Sequence, residues 1–142
     1  MHEGDNSIPN FGREAGTSDR ERALAALAAF LHARASGEWS RVCSYLARPT
    51  LHMLEGFAKH SQGKRAGCGA ALKGLLTGPA SERAYPLTNG LAALRIHGKT
   101  AFALFYGPHA QEFVMPMQSE GGAWKMTQDA PLPYPLGKDG TS

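Results

Sequence analysis

The stretch LAALRIHGKTAFALFYGPHAQEFVMPMQSEGGAWKMTQ, from Leu91 to Gln128, decides the fold. Its apolar residues recur at every second position, the period of a strand, in four short runs parted by turn formers. The turns fall at Gly98-Lys99, Gly107-Pro108 and Gly121-Gly122, where glycine supplies the backbone freedom of a tight reversal. The spacing predicts strands over 91–97, 100–106, 111–118 and 123–128, joined as an antiparallel meander. Pro116 cannot donate to a ladder, so the third run is expected at an edge or with a bulge. Phe102, Leu104 and Tyr106 alternate along the second strand, Phe113, Met115 and Met117 along the third, and Trp124 and Met126 along the last. These are expected on one greasy face, leaving Ala101, Ala103, Phe105 and Val114 for the outer one.

Upstream of the meander the period lengthens to that of a helix. Ser18 stands three residues before Glu21, the spacing of a capping box, and Leu24, Leu27, Phe30 and Leu31 follow at helical spacing until Gly37. A helix is predicted over 19–36. A second, over 38–46, places Trp39, Val42, Cys43 and Leu46 on one stripe before Arg48-Pro49 breaks it. Thr50 is expected to cap a third through about residue 59, with Leu51, Leu54, Phe57 and Ala58 inward and Met53 at the flank. A polar loop leads to Cys68, which opens a fourth helical stretch over 69–76, ended by Thr77-Gly78-Pro79. No strand is expected between 37 and 80. Helices first and sheet second define an α+β domain, with N-terminal helices packed on a four-stranded antiparallel meander. Residues 1–17 are read as a disordered N-terminal tail, 18–130 as the domain and 131–142 as a loose C-terminal tail.

At 142 residues the chain suits one domain. Fifteen Lys and Arg against twelve Asp and Glu give a net charge of +3, well short of the excess that drives phosphate-backbone binding, so no nucleic-acid partner is expected. No apolar run reaches the roughly 20 residues that cross a bilayer. Arg20, Arg22 and the run Ala23 to Leu31 superficially imitate a secretion signal. Asp19 and Glu21 between those basic residues, and His32 after the run, favour a helix. Cys43 and Cys68 cannot make a four-ligand zinc site by themselves. Two buried thiols or one disulfide both remain open on composition.

The order of helices before meander, with Gly37-Glu38-Trp39 at the first helix junction and Gly121-Gly122-Ala123-Trp124-Lys125-Met126 at the last hairpin, resembles the nuclear transport factor 2-like superfamily. The likeness spans about residues 18–128. The placement of Cys43 and Cys68 is similar to that of the two cysteines of an actinobacterial exported branch of unknown function. That resemblance implies a curved, cone-like (cystatin-like) sheet and a Cys43 to Cys68 disulfide, worth about 3.5 kcal/mol by chain-entropy arithmetic. It also implies an extracytoplasmic protein, secreted or lipid-anchored, whose signal lies outside this sequence; a cytoplasmic location is the alternative. Many members of the superfamily place short strands among their helices, which this sequence does not predict.

Motifs for chemistry are sparse. Gly98-Lys99-Thr100 lacks the preceding glycine of a phosphate-binding loop, since Ala93 holds that place, and reads as a hairpin turn. His52 and Glu55 stand one helical turn apart, but Gly56 follows where a zinc signature needs His, so they read as a solvated helix face. Lys59, His60, Lys64 and Arg65 read as a soluble basic loop. No catalytic residue, metal or cofactor is assigned. The apolar strand residues are first of all core. Their functional reading is a cavity between helices and sheet, lined by Tyr45, Met53, Leu104, Tyr106, Met115, Met117 and Trp124, that holds a small apolar molecule or a protein partner without catalysis. The alternative is a small isomerase or dehydratase with Tyr106 or His52 as proton donor. A homodimer through the outer sheet face is a further possibility.

Overall fold

A computed structural model describes residues 8–79, 83–85, 87 and 90–134. The chain forms β1 (Arg13–Glu14), α1 (Thr17–Ser36), α2 (Trp39–Ser44), α3 (Arg48–Gln62) and α4 (Cys68–Leu75), then β2 (Leu91–His97), β3 (Thr100–Tyr106), β4 (Glu112–Glu120), β5 (Ala123–Met126) and β6 (Leu132–Pro133). The class is α+β, with an open antiparallel sheet. Its order is β1-β2-β3-β4-β5, and β6 pairs with β4 beside β5. Strands β2 to β5 are successive neighbours in it, and the sheet has six strands where four were expected, because both supposed tails add one.

The helices start and stop for slightly different reasons than their sequence suggests. Gly37 ends α1 in the left-handed region, its N–H meeting the carbonyls of Ala33 and Arg34, as expected of a C-terminal glycine. At the other end Ser18 is not the cap; extended Gly16 is, without a side-chain bond. The Ala15 N–H still donates to the Leu94 carbonyl (2.8 Å), so the chain leaves a β-ladder and enters the helix at once. Arg48-Pro49 does not break a helix but begins α3, with proline in its first turn, where the missing N–H costs nothing. Thr50, expected as that helix's cap, instead donates its hydroxyl to the Thr127 carbonyl (2.9 Å).

Two apolar clusters lie on opposite faces of the sheet. The larger joins Leu27, Phe30 and Leu31 of α1, Leu54 of α3 and Leu72 of α4 to Leu94, Ala103, Phe105, Met115, Met117 and Met126 of the sheet. The smaller, on the far face, joins Ile8, Leu104, Val114 and Tyr134, with Phe102 and Leu132 against them. The expected assignment of faces holds for β4 and β5 and is reversed for β3. Ala101, Ala103 and Phe105 face the helices, opposite Met117, Met115 and Phe113, whereas Leu104 pairs with Val114 on the other side. A strand's side chains alternate strictly, so a misjudgement by one residue turns every one of them over. The cause is that β3 is apolar on both faces, with Ala101, Ala103 and Phe105 toward the helices and Phe102 and Leu104 toward the chain ends.

Those ends are the covering. Phe11 meets the rings of Phe102 and His97 edge-on, at 4.9 and 5.9 Å. Gly12 has φ +52, and a Cβ on it would collide with the Ile96 carbonyl, so the strap lies flat on β2. Arg95 donates to the carbonyls of Phe11 and Gly12 (2.9 and 3.0 Å). Glu14 accepts from the Leu94 amide and from Arg20, both at 2.9 Å. Residues 8–16 are therefore structure and not tail, and Leu132 to Tyr134 likewise, with Tyr134 N–H donating to the Glu112 carbonyl (2.9 Å). The residues expected on a free outer face (Ala101, Ala103, Phe105 and Val114) are all fully buried within the chain.

Pro116 sits in β4 between the segments paired with β6 and with β5. Its carbonyl accepts from the Thr127 N–H at 3.0 Å, so its nitrogen faces that same side, where the two short strands leave a gap and the ladder to β3 loses no donor. One further pairing departs from expectation. Leu46, between α2 and α3, makes a parallel bridge with Met126, through Met126 N–H to Tyr45 O (2.8 Å) and Ala47 N–H to Met126 O (2.7 Å). A bridge therefore does lie within 37–80.

Candidate functional site

Cys43 near the end of α2 and Cys68 at the start of α4 form a disulfide, with S–S 2.07 Å and Cα–Cα 6.2 Å. It binds two short helices that would each be marginal alone. Gly69 follows, where a Cβ would touch Ser40 and the Trp39 backbone, so α4 lies close on the start of α2. The disulfide thereby fixes the end of α2, and the parallel bridge at Leu46 fixes what comes after it. Tyr45, between them, is held in place from both sides.

Tyr45 and Trp124 both line a groove of about 350 Å³ where α1, the end of α2 and β5 converge. Ala25 and Ala26 of α1, Arg22 and Lys125 stand among its lining residues. The alanines leave the opening that larger side chains would fill. Arg22 is fixed by the Gly122 carbonyl (2.6 Å) and by Asp19 (2.7 Å), and Lys125 by the Ser44 carbonyl (2.8 Å). Trp124 is only 6% exposed. Its Nε1–H is buried with no acceptor among the described residues, which costs about 1–3 kcal/mol when left so.

The seven residues expected to line one cavity are not brought together. Tyr45 and Trp124 share the groove, but Met115 and Met117 are fully buried in the core. Leu104 lies on the opposite sheet face. Met53 is 65% exposed on α3 and Tyr106 is 41% exposed at the end of β3. Phe57, expected inward, is exposed as well, because Thr50, Leu54 and Ala58 form the buried stripe of α3. The dispersal follows from the reversed faces of β3 and from close packing of helices on the inner face. Sequence reasoning missed Arg22, Ala25, Ala26 and Lys125. The small residues of the alanine-rich run were the available signal, but they gave no direction without the helix's orientation.

The two suggested proton donors lie apart from this groove. His52 is exposed and lines a neighbouring polar depression of about 440 Å³ with Arg48, Glu55, Glu120 and Lys125. Tyr106 pairs with Glu112 across the strands. Partial burial holds the Glu112 carboxyl above its ordinary range. Among the described residues no group of three or more His, Cys, Asp or Glu could hold a metal ion, and no helix is long and apolar enough to cross a membrane. No protein-family profile, curated protein or solved structure matches the chain.

Proposed function

We propose that the protein is a non-enzymatic binding module that holds a small apolar molecule in the groove between Tyr45 and Trp124. The observation that carries this reading is the groove itself, lined by Tyr45, Trp124, Ala25 and Ala26 at the seam of helices and sheet. Aromatic faces offer large apolar area at low entropic cost, and about 350 Å³ falls within the range of small-molecule pockets. We place the domain in the nuclear transport factor 2-like superfamily with a curved, cone-like sheet. Helices preceding an antiparallel meander and the bridge between Cys43 and Cys68 support that likeness. The disulfide also favours an oxidising, extracytoplasmic compartment.

Titration with 1-octanol, followed at the Trp124 indole resonance by ¹H–¹⁵N NMR, tests the groove. A saturable shift, lost when Ala26→Leu fills the opening, is expected. A shift that never saturates, or that Ala26→Leu leaves intact, overturns the reading.

A further inference from the structure

We propose that the natural occupant of this groove is an apolar molecule ending in a carboxylate, a conclusion that rests on the groove being a binding site. The groove has apolar walls (Ala25, Ala26 and the rings of Tyr45 and Trp124) and two cations, Arg22 and Lys125, with no acidic residue in its lining. Among the described residues Asp19, one turn before Arg22 on α1, is the one carboxylate in an ion pair with either cation, so Lys125 has no ion-pair partner there. A neutral apolar molecule leaves that charge unused, and an amine is repelled by it. A carboxylate turns it into charge-assisted hydrogen bonds.

Both cations are already fixed by backbone carbonyls, Arg22 by Gly122 and Lys125 by Ser44, so little side-chain freedom remains to be lost on binding. Glu55 and Glu120 line the neighbouring depression with Lys125 and not this groove, and Glu120 accepts from the Arg48 amide (2.9 Å) and from Gln118 (3.0 Å). Trp124, which also lines the groove, carries a buried indole N–H with no acceptor among the described residues.

Octanoate, 1-octanol and octylammonium share one chain length and differ only in the head. Titrating each against the intact, oxidised protein and following the two indole resonances, with Trp39→Phe to assign them, separates the questions. Octanoate is expected to shift the Trp124 signal saturably, with a Kd about tenfold or more below that of octanol. The double substitution Arg22→Gln and Lys125→Gln is expected to remove most of that difference between acid and alcohol. Equal affinities for acid and alcohol, or tighter binding of the amine, overturn the carboxylate and leave the groove standing. No saturable shift with any of the three overturns the groove itself.

Discussion

Arg34 and Arg83 donate to each other's backbone carbonyls, Arg34 Nη1 to Arg83 O at 2.5 Å and Arg83 Nε to Arg34 O at 3.2 Å. Arg34 also reaches the Asp129 carbonyl (2.8 Å) and lies 5.1 Å from the ring centre of Tyr85, which in turn meets Phe113 edge-on. Arg83 reaches the Ala35 carbonyl and covers Trp39. Both charges sit at the C-terminal end of α1, where the helix presents its negative pole and unpaired carbonyls. Burial lowers the Arg34 pKa, so oriented carbonyl dipoles, with Asp129 nearby, hold a charge that has no ion-pair partner among the described residues.

Arg34→Ala is expected to destabilise the fold by about 3 kcal/mol, the loss of two charge-assisted bonds and the stacking on Tyr85. Arg34→Lys keeps the charge but not the planar fork, and should recover less than half of that. Urea denaturation of the three proteins measures it. A wild-type midpoint for Arg34→Ala would show that this pair does not fasten residues 83–85 to the helix.

Replacing Cys43 and Cys68 by serine should lower stability by about 3.5 kcal/mol if chain entropy dominates, given a sequence separation of 25. Because the bridge positions the end of α2, octanol should also bind the Tyr45 and Trp124 groove more weakly in this variant, even at temperatures where it remains folded. Unaltered binding in a folded double variant would mean that the Leu46 to Met126 bridge positions Tyr45 without help.

Leu104→Ala separates a two-faced from a one-faced sheet. With the chain ends packed on it, the substitution should cost about 2–4 kcal/mol, as in any core. A solvent-facing strand position would lose only a few tenths of a kcal/mol. Phe105→Ala, on the helix side, should cost about 3–5 kcal/mol.

Gly12→Ala should detach the N-terminal strap, because its positive φ and the approach of the Ile96 carbonyl leave no room for a Cβ. Hydrogen exchange at the Ala15 and Leu94 amides, both bonded within this contact, should quicken at least about tenfold, since about 1.4 kcal/mol of lost local stability corresponds to that factor. Exchange at Met126, on the other sheet edge, should change less.

The raised pKa of Glu112 makes stability depend on pH in a definite direction. The folded state binds its proton more tightly than the unfolded chain, so this group's contribution is full below the unfolded carboxylate pKa and is lost as pH rises through the folded value. Glu112→Gln should flatten that part of the stability profile, measured by urea midpoints across the mildly acidic range. A profile with the same slope in both proteins would exclude Glu112 as its source.

Much of the meander was legible because turn glycines and period-two alternation are local signals. Leu91–His97 and Thr100–Tyr106 are strands within the expected bounds. The short strands Arg13–Glu14 and Leu132–Pro133 were illegible, since two residues carry no period and their pairing depends on β2 and β4 being there first. The candidate site fared similarly. Tyr45 and Trp124 could be singled out as aromatic, but their sharing one groove depends on a helix end and a strand distant in sequence.

The order of the four helices and the four longer strands, the α+β class and the positions of the turns were settled by the amino-acid sequence alone, because each follows from residues within a few positions of one another. Which face of β3 looks toward the helices was a tertiary decision. With apolar residues on both faces, local pattern cannot choose between them, and the choice falls to packing: alanines admit the helices, while Phe102 and Leu104 are covered by Phe11, Ile8 and Tyr134 from the two ends of the chain.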